Sequence, residues 1–96
     1  VQLVCCKGME GEVLSFLGTA EDKIEMLFVL PKAQGKGLGS LLCQHAIKEL
    51  GITKVDVNEQ NPRAKAFYEK MGFIVESRSD LDGEGKPYPI LHMRLM

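Results

Sequence analysis

Gln34-Gly35-Lys36-Gly37-Leu38-Gly39 lies between an apolar stretch that ends at Pro31 and a helical pattern that begins at Leu38. Glycines at alternate positions let the backbone approach a ligand closely and aim several N–H groups at one spot. A helix starting there adds the positive end of its dipole, so a phosphate or pyrophosphate is the natural occupant. The same spelling also serves a plain flexible turn ahead of an ordinary helix, and the flanking sequence has to decide between the two. A P-loop needs GxxxxGK[ST], which no stretch supplies. A dinucleotide fold needs GxGxxG, whereas the spacing here is GxGxG, although Asp56 falls where a ribose-binding acid is expected. A nucleotide-binding βαβ domain therefore stays a rival reading with one mismatch.

Upstream of the loop, residues 24–30 are almost continuously apolar, which predicts a strand covered on both faces and stopped by Pro31. Residues 1–6 and 12–19 are two further β-prone runs around the glycine-punctuated turn 7–11, a hairpin pattern. Downstream, Leu38, Leu42, Ala46 and Leu50 recur at four-residue steps with Leu41 beside them, and Gly51 stands where a left-handed cap is wanted. Residues 52–57 alternate as a short strand, so strand, helix and strand make a βαβ unit. Asn61-Pro62 starts a second helix, because Asn caps free amides and Pro is pre-set for a first turn. Its apolar stripe is Ala64, Phe67, Tyr68 and Met71, closed by Gly72. Strands over 73–77 and 88–95 flank the turn 81–85.

The 96 residues suit a single domain over 1–96 with a modest core, and no repeat, linker or low-complexity tract divides it. Twelve Lys and Arg against 13 acids leave a net charge of -1, which gives no field to draw in nucleic acid or anionic lipid. No apolar run approaches the ~20 residues of a membrane helix. The expectation is a cytoplasmic protein with neither a nucleic-acid nor a membrane partner. Cys5, Cys6 and Cys43 are odd in number and lack CxxC spacing, so they read as reduced small apolar residues and not as a disulfide or zinc set. His45 reads as the polar side of its helix and His92 as a strand surface residue.

With both flanks in view, the sequence resembles the GNAT N-acetyltransferases. That family's cofactor loop is (Arg/Gln)-x-x-Gly-x-(Gly/Ala) after a strand that ends in Pro, and residues 34–39 fill it without a mismatch. Residues 61–73, Asn-Pro-Arg-Ala-Lys-Ala-Phe-Tyr-Glu-Lys-Met-Gly-Phe, resemble the family's second block in the right order. Stretches 57–61 and 85–89 are similar to those of small bacterial members. The resemblance implies an α/β (α+β) fold with a mixed, mainly antiparallel sheet, two splayed central parallel strands and two helices. It implies transfer of an acetyl group from acetyl-CoA directly to an amine acceptor, with no metal.

Residue by residue, the resemblance places the coenzyme A pyrophosphate on Gln34, Gly35, Lys36, Gly37, Leu38, Gly39 and Ser40. The pantetheine arm would lie along backbone groups of Leu27, Phe28 and Val29, one N–H facing the thioester carbonyl. Asn61, Ala64 and Phe67 match cofactor-contacting positions, and Asn61 is also fully accounted for as a helix cap. Tyr68 matches the family tyrosine that protonates the departing thiolate, which a phenol of pKa ~10 can do at neutral pH. An amine acceptor such as lysine, pKa ~10.4, must first lose a proton, and the base candidates are Glu25 and Asp56. Either is equally readable as a solvated strand-end charge. The turn 80–89 would face the acceptor.

The match departs from the family at its beginning. The chain opens at Val1 in mid-strand pattern, and the resemblance starts at what looks like the family's second strand, without the first strand and the two helices that wall the acceptor side. Cofactor binding is thus better supported than catalysis. Three accounts stand: a truncated piece, a short form completed by a second subunit, or a module that binds acyl-CoA without transferring the group. An exposed sheet edge would favour a homodimer by strand pairing.

Overall fold

A computed structural model of the chain describes residues 2–96. The expected first strand opened at Val1, which lies outside the described residues. The rest of it is β1, Gln2–Lys7, and the elements that follow are β2 (Val13–Ala20), β3 (Lys23–Val29), α1 (Leu38–Glu49), β4 (Lys54–Asn58), α2 (Pro62–Lys70), β5 (Phe73–Ser79) and β6 (Ile90–Leu95). Two compact units divide the chain, the first ending at Ile52 and the second formed by Thr53–Met96.

In the first unit β1, β2 and β3 make an antiparallel meander, with Leu17 opposite Val4 on one side and Leu27 on the other. Alternation along β2 puts Ser15, Leu17 and Thr19 on one face, all of them buried, and α1 packs on that face of all three strands. From α1 the buried side chains are Leu42, Cys43 and Ala46. Leu41, expected beside the apolar stripe, is 56% exposed, and Cys43 takes the inward position instead.

The opposite face of the meander corrects a second expectation. Residues 24–30 read as a strand covered on both sides, yet Met26 and Phe28 are nearly half exposed and Leu3 more so. An unbroken apolar run shows how many positions are apolar but does not show whether a covering layer exists. Gly18 sits at the middle of this face between Leu3 and Met26, and a Cβ there would lie 3.0 Å from Met26 Cγ and 3.1 Å from a Leu3 methyl. Glycine is what lets those two side chains close over the strand. Phe16 and Phe28 stack beside them, ring centroids 5.5 Å apart.

In the second unit β4 and β5 both pair antiparallel with β6, in the order β4, β6, β5. Val55 and Val57 of β4, Phe73 of β5 and Leu91 and Met93 of β6 are buried, while their alternate neighbours are not. α2 packs against β4 and β5. The last strand was expected from Tyr88 but begins at Ile90, since Pro89 has no N–H to give a ladder. Its carbonyl instead accepts from Glu59 N–H at 2.9 Å, which ties the two loops at this end of the strands together. Gly51 (φ 68°) and Gly72 (φ 104°) follow the two helices as the sequence predicts.

Candidate active site

β3 ends at Val29, and Pro31–Ala33 forms a short 3-10 turn whose buried anchor is Ala33. The glycine loop starts from that anchor. Gln34 donates from Nε2 to the Val29 carbonyl at 3.3 Å, so the loop's first side chain is tied back to the strand it left. Gly35 and Gly37 both adopt left-handed backbone, φ 81° and 77°, and a Cβ built on either meets nothing within 4 Å. The space over the loop is therefore open to a ligand on the side where other residues would carry a side chain.

Gly37 is also the N-cap of α1, and no side chain caps that end. The first helical return is Leu41 N–H to the Gly37 carbonyl at 3.0 Å. The amides of Leu38, Gly39 and Ser40 precede that bond and point out of the helix start. Left-handed glycines at alternate positions, followed by an uncapped first turn, leave free N–H groups at the start of the helix, which suits a pyrophosphate. Leu27, Phe28 and Val29 lie on β3 immediately before the loop, and Glu25 is exposed on the same strand, making no ion pair among the described residues.

The second unit holds the remaining expected residues. Asn61 caps α2, its Oδ1 accepting from Ala64 N–H at 3.1 Å, which leaves its amide nitrogen and the second lone pair of Oδ1 for a ligand. Phe67 and Tyr68 are neighbours on α2 with rings edge to face at 5.0 Å, and Tyr68 meets Phe73 in the same manner at 5.8 Å. Of the α2 stripe Tyr68 is the buried member. Its ring is thereby held by aromatic packing in two directions.

Asp56 projects from the face of β4 opposite Val55 and Val57, and the register sets it directly across from His92 of β6. His92 Nδ1 lies 2.8 Å from Asp56 Oδ1, and its other ring nitrogen, Nε2, lies 2.6 Å from Ser79 Oγ on β5. His92 is therefore no plain surface residue. It is the middle of a three-residue chain that spans all three strands of the unit. The alternation of Leu91 and Met93 with His92, and of Val55 and Val57 with Asp56, signals a shared face, but pairing them needs the strand register.

Beyond that chain, Arg78 grips Glu59 with Nε and Nη2, at 2.6 and 3.1 Å, and also pairs with Asp80. The hydrogen bonds from Arg78 hold the Glu59 carboxyl below its usual range, while burial pushes the Cys43 thiol up to about 11. Among the described residues, no cluster of His, Cys, Asp and Glu is placed to hold a metal ion, and no helix is long and apolar enough to cross a membrane.

The chain belongs to the acetyltransferase (GNAT) domain family, whose sequence profile matches residues 3–75. It is 39% identical over 84 residues to the peptidyl-lysine N-acetyltransferase YjaB of Salmonella typhimurium, a match covering 88% of this chain and 58% of that protein. It is 34% identical over 84 residues to the 5-NmdU N-acetyltransferase of Pseudomonas phage PaMx11, covering 79% of this chain and 59% of that one. The solution structure of the apo form of YjaB from Escherichia coli superposes with a TM-score of 0.88 at 34% identity, covering 98% of this chain and 64% of that chain. The α+β fold of six strands and two helices is thus the GNAT fold. The chain spans little more than half the length of the curated relatives it matches.

Proposed function

We propose that the protein is an acetyl-CoA-dependent N-acetyltransferase acting on an amine acceptor. The observation that carries this reading is the glycine loop, whose two left-handed glycines lead into an uncapped helix start. The family match across residues 3–75 runs over the boundary between the two units, which supports reading 1–96 as one GNAT domain.

Acetyl-CoA supplies the acetyl group as a thioester whose carbonyl carbon the amine attacks. The loop amides from Gly35 to Ser40 hold the pyrophosphate, and the backbone of Leu27, Phe28 and Val29 aligns the arm. Tyr68 gives its phenolic proton to the departing sulfur, and Asn61, Ala64 and Phe67 complete the cofactor contacts. The YjaB relative makes peptidyl-lysine the first acceptor to try, while 5-NmdU in the phage relative's name shows that the family does not fix the acceptor. A cytoplasmic location and a homodimer paired through the outer edge of β1 belong to the same reading.

Thermal shift with acetyl-CoA, NAD and ATP tests the cofactor, and stabilisation by acetyl-CoA alone is expected. Release of coenzyme A thiol with an Nα-blocked lysine peptide tests the transfer. Tyr68→Phe is expected to slow that release while leaving acetyl-CoA affinity nearly intact, and unchanged turnover would remove Tyr68 from the mechanism.

A further inference from the structure

We propose that Asp56, His92 and Ser79 form a proton relay in which His92, and not a carboxylate, is the base that receives the acceptor amine's proton. This rests on the acetyl-transfer reading above and assigns the part of it for which Glu25 and Asp56 were the alternative candidates. Asp56 Oδ1 is already engaged by His92 Nδ1 at 2.8 Å. An ionised carboxylate can only accept, so Nδ1 carries the hydrogen, and the lone pair of the neutral ring is left at Nε2. Nε2 then accepts from the Ser79 hydroxyl 2.6 Å away. The arrangement orders carboxylate, imidazole and hydroxyl as in other sites where a base is oriented by an acid.

In the reaction the amine nitrogen's electron pair forms the bond to the acetyl carbon, and the carbon–sulfur pair leaves with the sulfur. The ammonium proton first passes to Ser79 Oγ as the Ser79 hydroxyl proton moves to Nε2, which frees that electron pair. The second N–H proton, shed by the tetrahedral adduct, replaces the one Tyr68 gives to the sulfur. The imidazolium so formed faces the Asp56 carboxylate, which stabilises it and keeps the ring in place. Asp56 is a positioning residue in this scheme. The side chains of His92 and Asp56 are 33% and 35% exposed, which leaves this face of the sheet approachable by an amine. The other charged groups on it are Lys54 of β4 and Arg94 of β6, paired with each other in register, and Arg94 Nε lies 3.6 Å from Glu76 of β5. A relay facing two cations and one distant carboxylate keeps Asp56 as its own counter-charge.

The test compares the 96-residue chain with His92→Gln and Asp56→Asn. Coenzyme A release with the Nα-blocked lysine peptide is followed from pH 6.5 to 10, acetyl-CoA affinity by calorimetry, and the His92 tautomer by ¹⁵N NMR of the imidazole. At neutral pH, His92→Gln is expected to lower kcat/KM about 100-fold or more, the range of a lost general base, with acetyl-CoA affinity unchanged. The deficit shrinks as the pH climbs towards the amine's own pKa of ~10.4, where the acceptor deprotonates without help. In the free wild type the Nδ1–H tautomer is expected, and Asp56→Asn disturbs it. A His92→Gln chain within threefold of wild type, while Tyr68→Phe is slow, overturns the relay and leaves the transfer reading standing. A wild-type Nε2–H tautomer overturns it as well, whatever the turnover. A wild type that acetyl-CoA does not stabilise and that releases no coenzyme A with the peptide overturns both readings.

Discussion

The Gln34 side-chain amide donates to the Val29 carbonyl, joining the first residue of the glycine loop to the last residue of β3. The bond is exposed and between neutral groups, so its worth is modest, about 0.5–1.5 kcal/mol. Its effect falls on the loop because residues 34–37 are themselves exposed and carry little else to hold them. Gln34→Ala is expected to weaken acetyl-CoA binding about 2- to 10-fold with little change in unfolding temperature, read by calorimetry and thermal melts.

Gly37 offers a sharper test because its cost is confined to the backbone. A Cβ there meets no atom within 4 Å, yet φ is 77°, so Gly37→Ala is expected to lose about 1–2 kcal/mol of stability. Gly83 is equally uncrowded and does not have positive φ, so Gly83→Ala serves as the control and is expected to be near neutral. Gly37→Glu adds a negative charge at the loop and is expected to reduce acetyl-CoA affinity at least tenfold. Undiminished affinity in that variant would overturn the placement of the pyrophosphate.

Ser15 is wholly buried on β2, and its hydroxyl has no hydrogen-bond partner among the described residues. A buried hydroxyl left unsatisfied costs about 1–3 kcal/mol, more than the packing lost with one small oxygen. Ser15→Ala is therefore expected to raise the urea midpoint, by about 1 kcal/mol in stability. A loss instead would show that an ordered water satisfies the hydroxyl.

Cys43 and Cys5 are expected to separate cleanly under a thiol reagent. Burial lifts the Cys43 thiol from 9.0 to about 11, whereas Cys5 is exposed. At pH 8 Cys5 is expected to react at once and Cys43 only on unfolding. The folded state binds the Cys43 proton more tightly than the unfolded state does. The stability this contributes is therefore complete below pH 9.0 and is lost as the pH climbs towards about 11. The stability gap between the wild type and Cys43→Ala should narrow over that interval in urea titrations.

Much of the scaffold was legible because its signals are local. Pro31 stops β3, Asn61-Pro62 starts α2 with the expected cap, and glycines at 51 and 72 follow the helices. The glycine loop and the position of Tyr68 were legible too, since both sit in short blocks with fixed spacing. What escaped was tertiary. His92 reads from sequence as a surface residue because its partners are 36 and 13 residues away, and only the pairing of β4 and β5 with β6 delivers them. A slip of one residue in either pairing would turn Asp56 or Ser79 to the other side of the sheet. Leu41 was misplaced for a simpler reason: a stripe of leucines one turn wide does not say which edge is outermost, and Cys43 filled the inner place.

The open face of the first unit carries two sulfurs among its carbons, Cys5 in β1 and Met26 in β3, both exposed. Oxidation would turn the thioether into a polar sulfoxide and the thiol into a sulfenic acid or a bridge to another chain. Either change rewrites a greasy surface as a wet one without touching the glycine loop. The protein's stickiness in solution should thus record its exposure to peroxide, and a reducing agent in the buffer is a condition of comparing one preparation with the next.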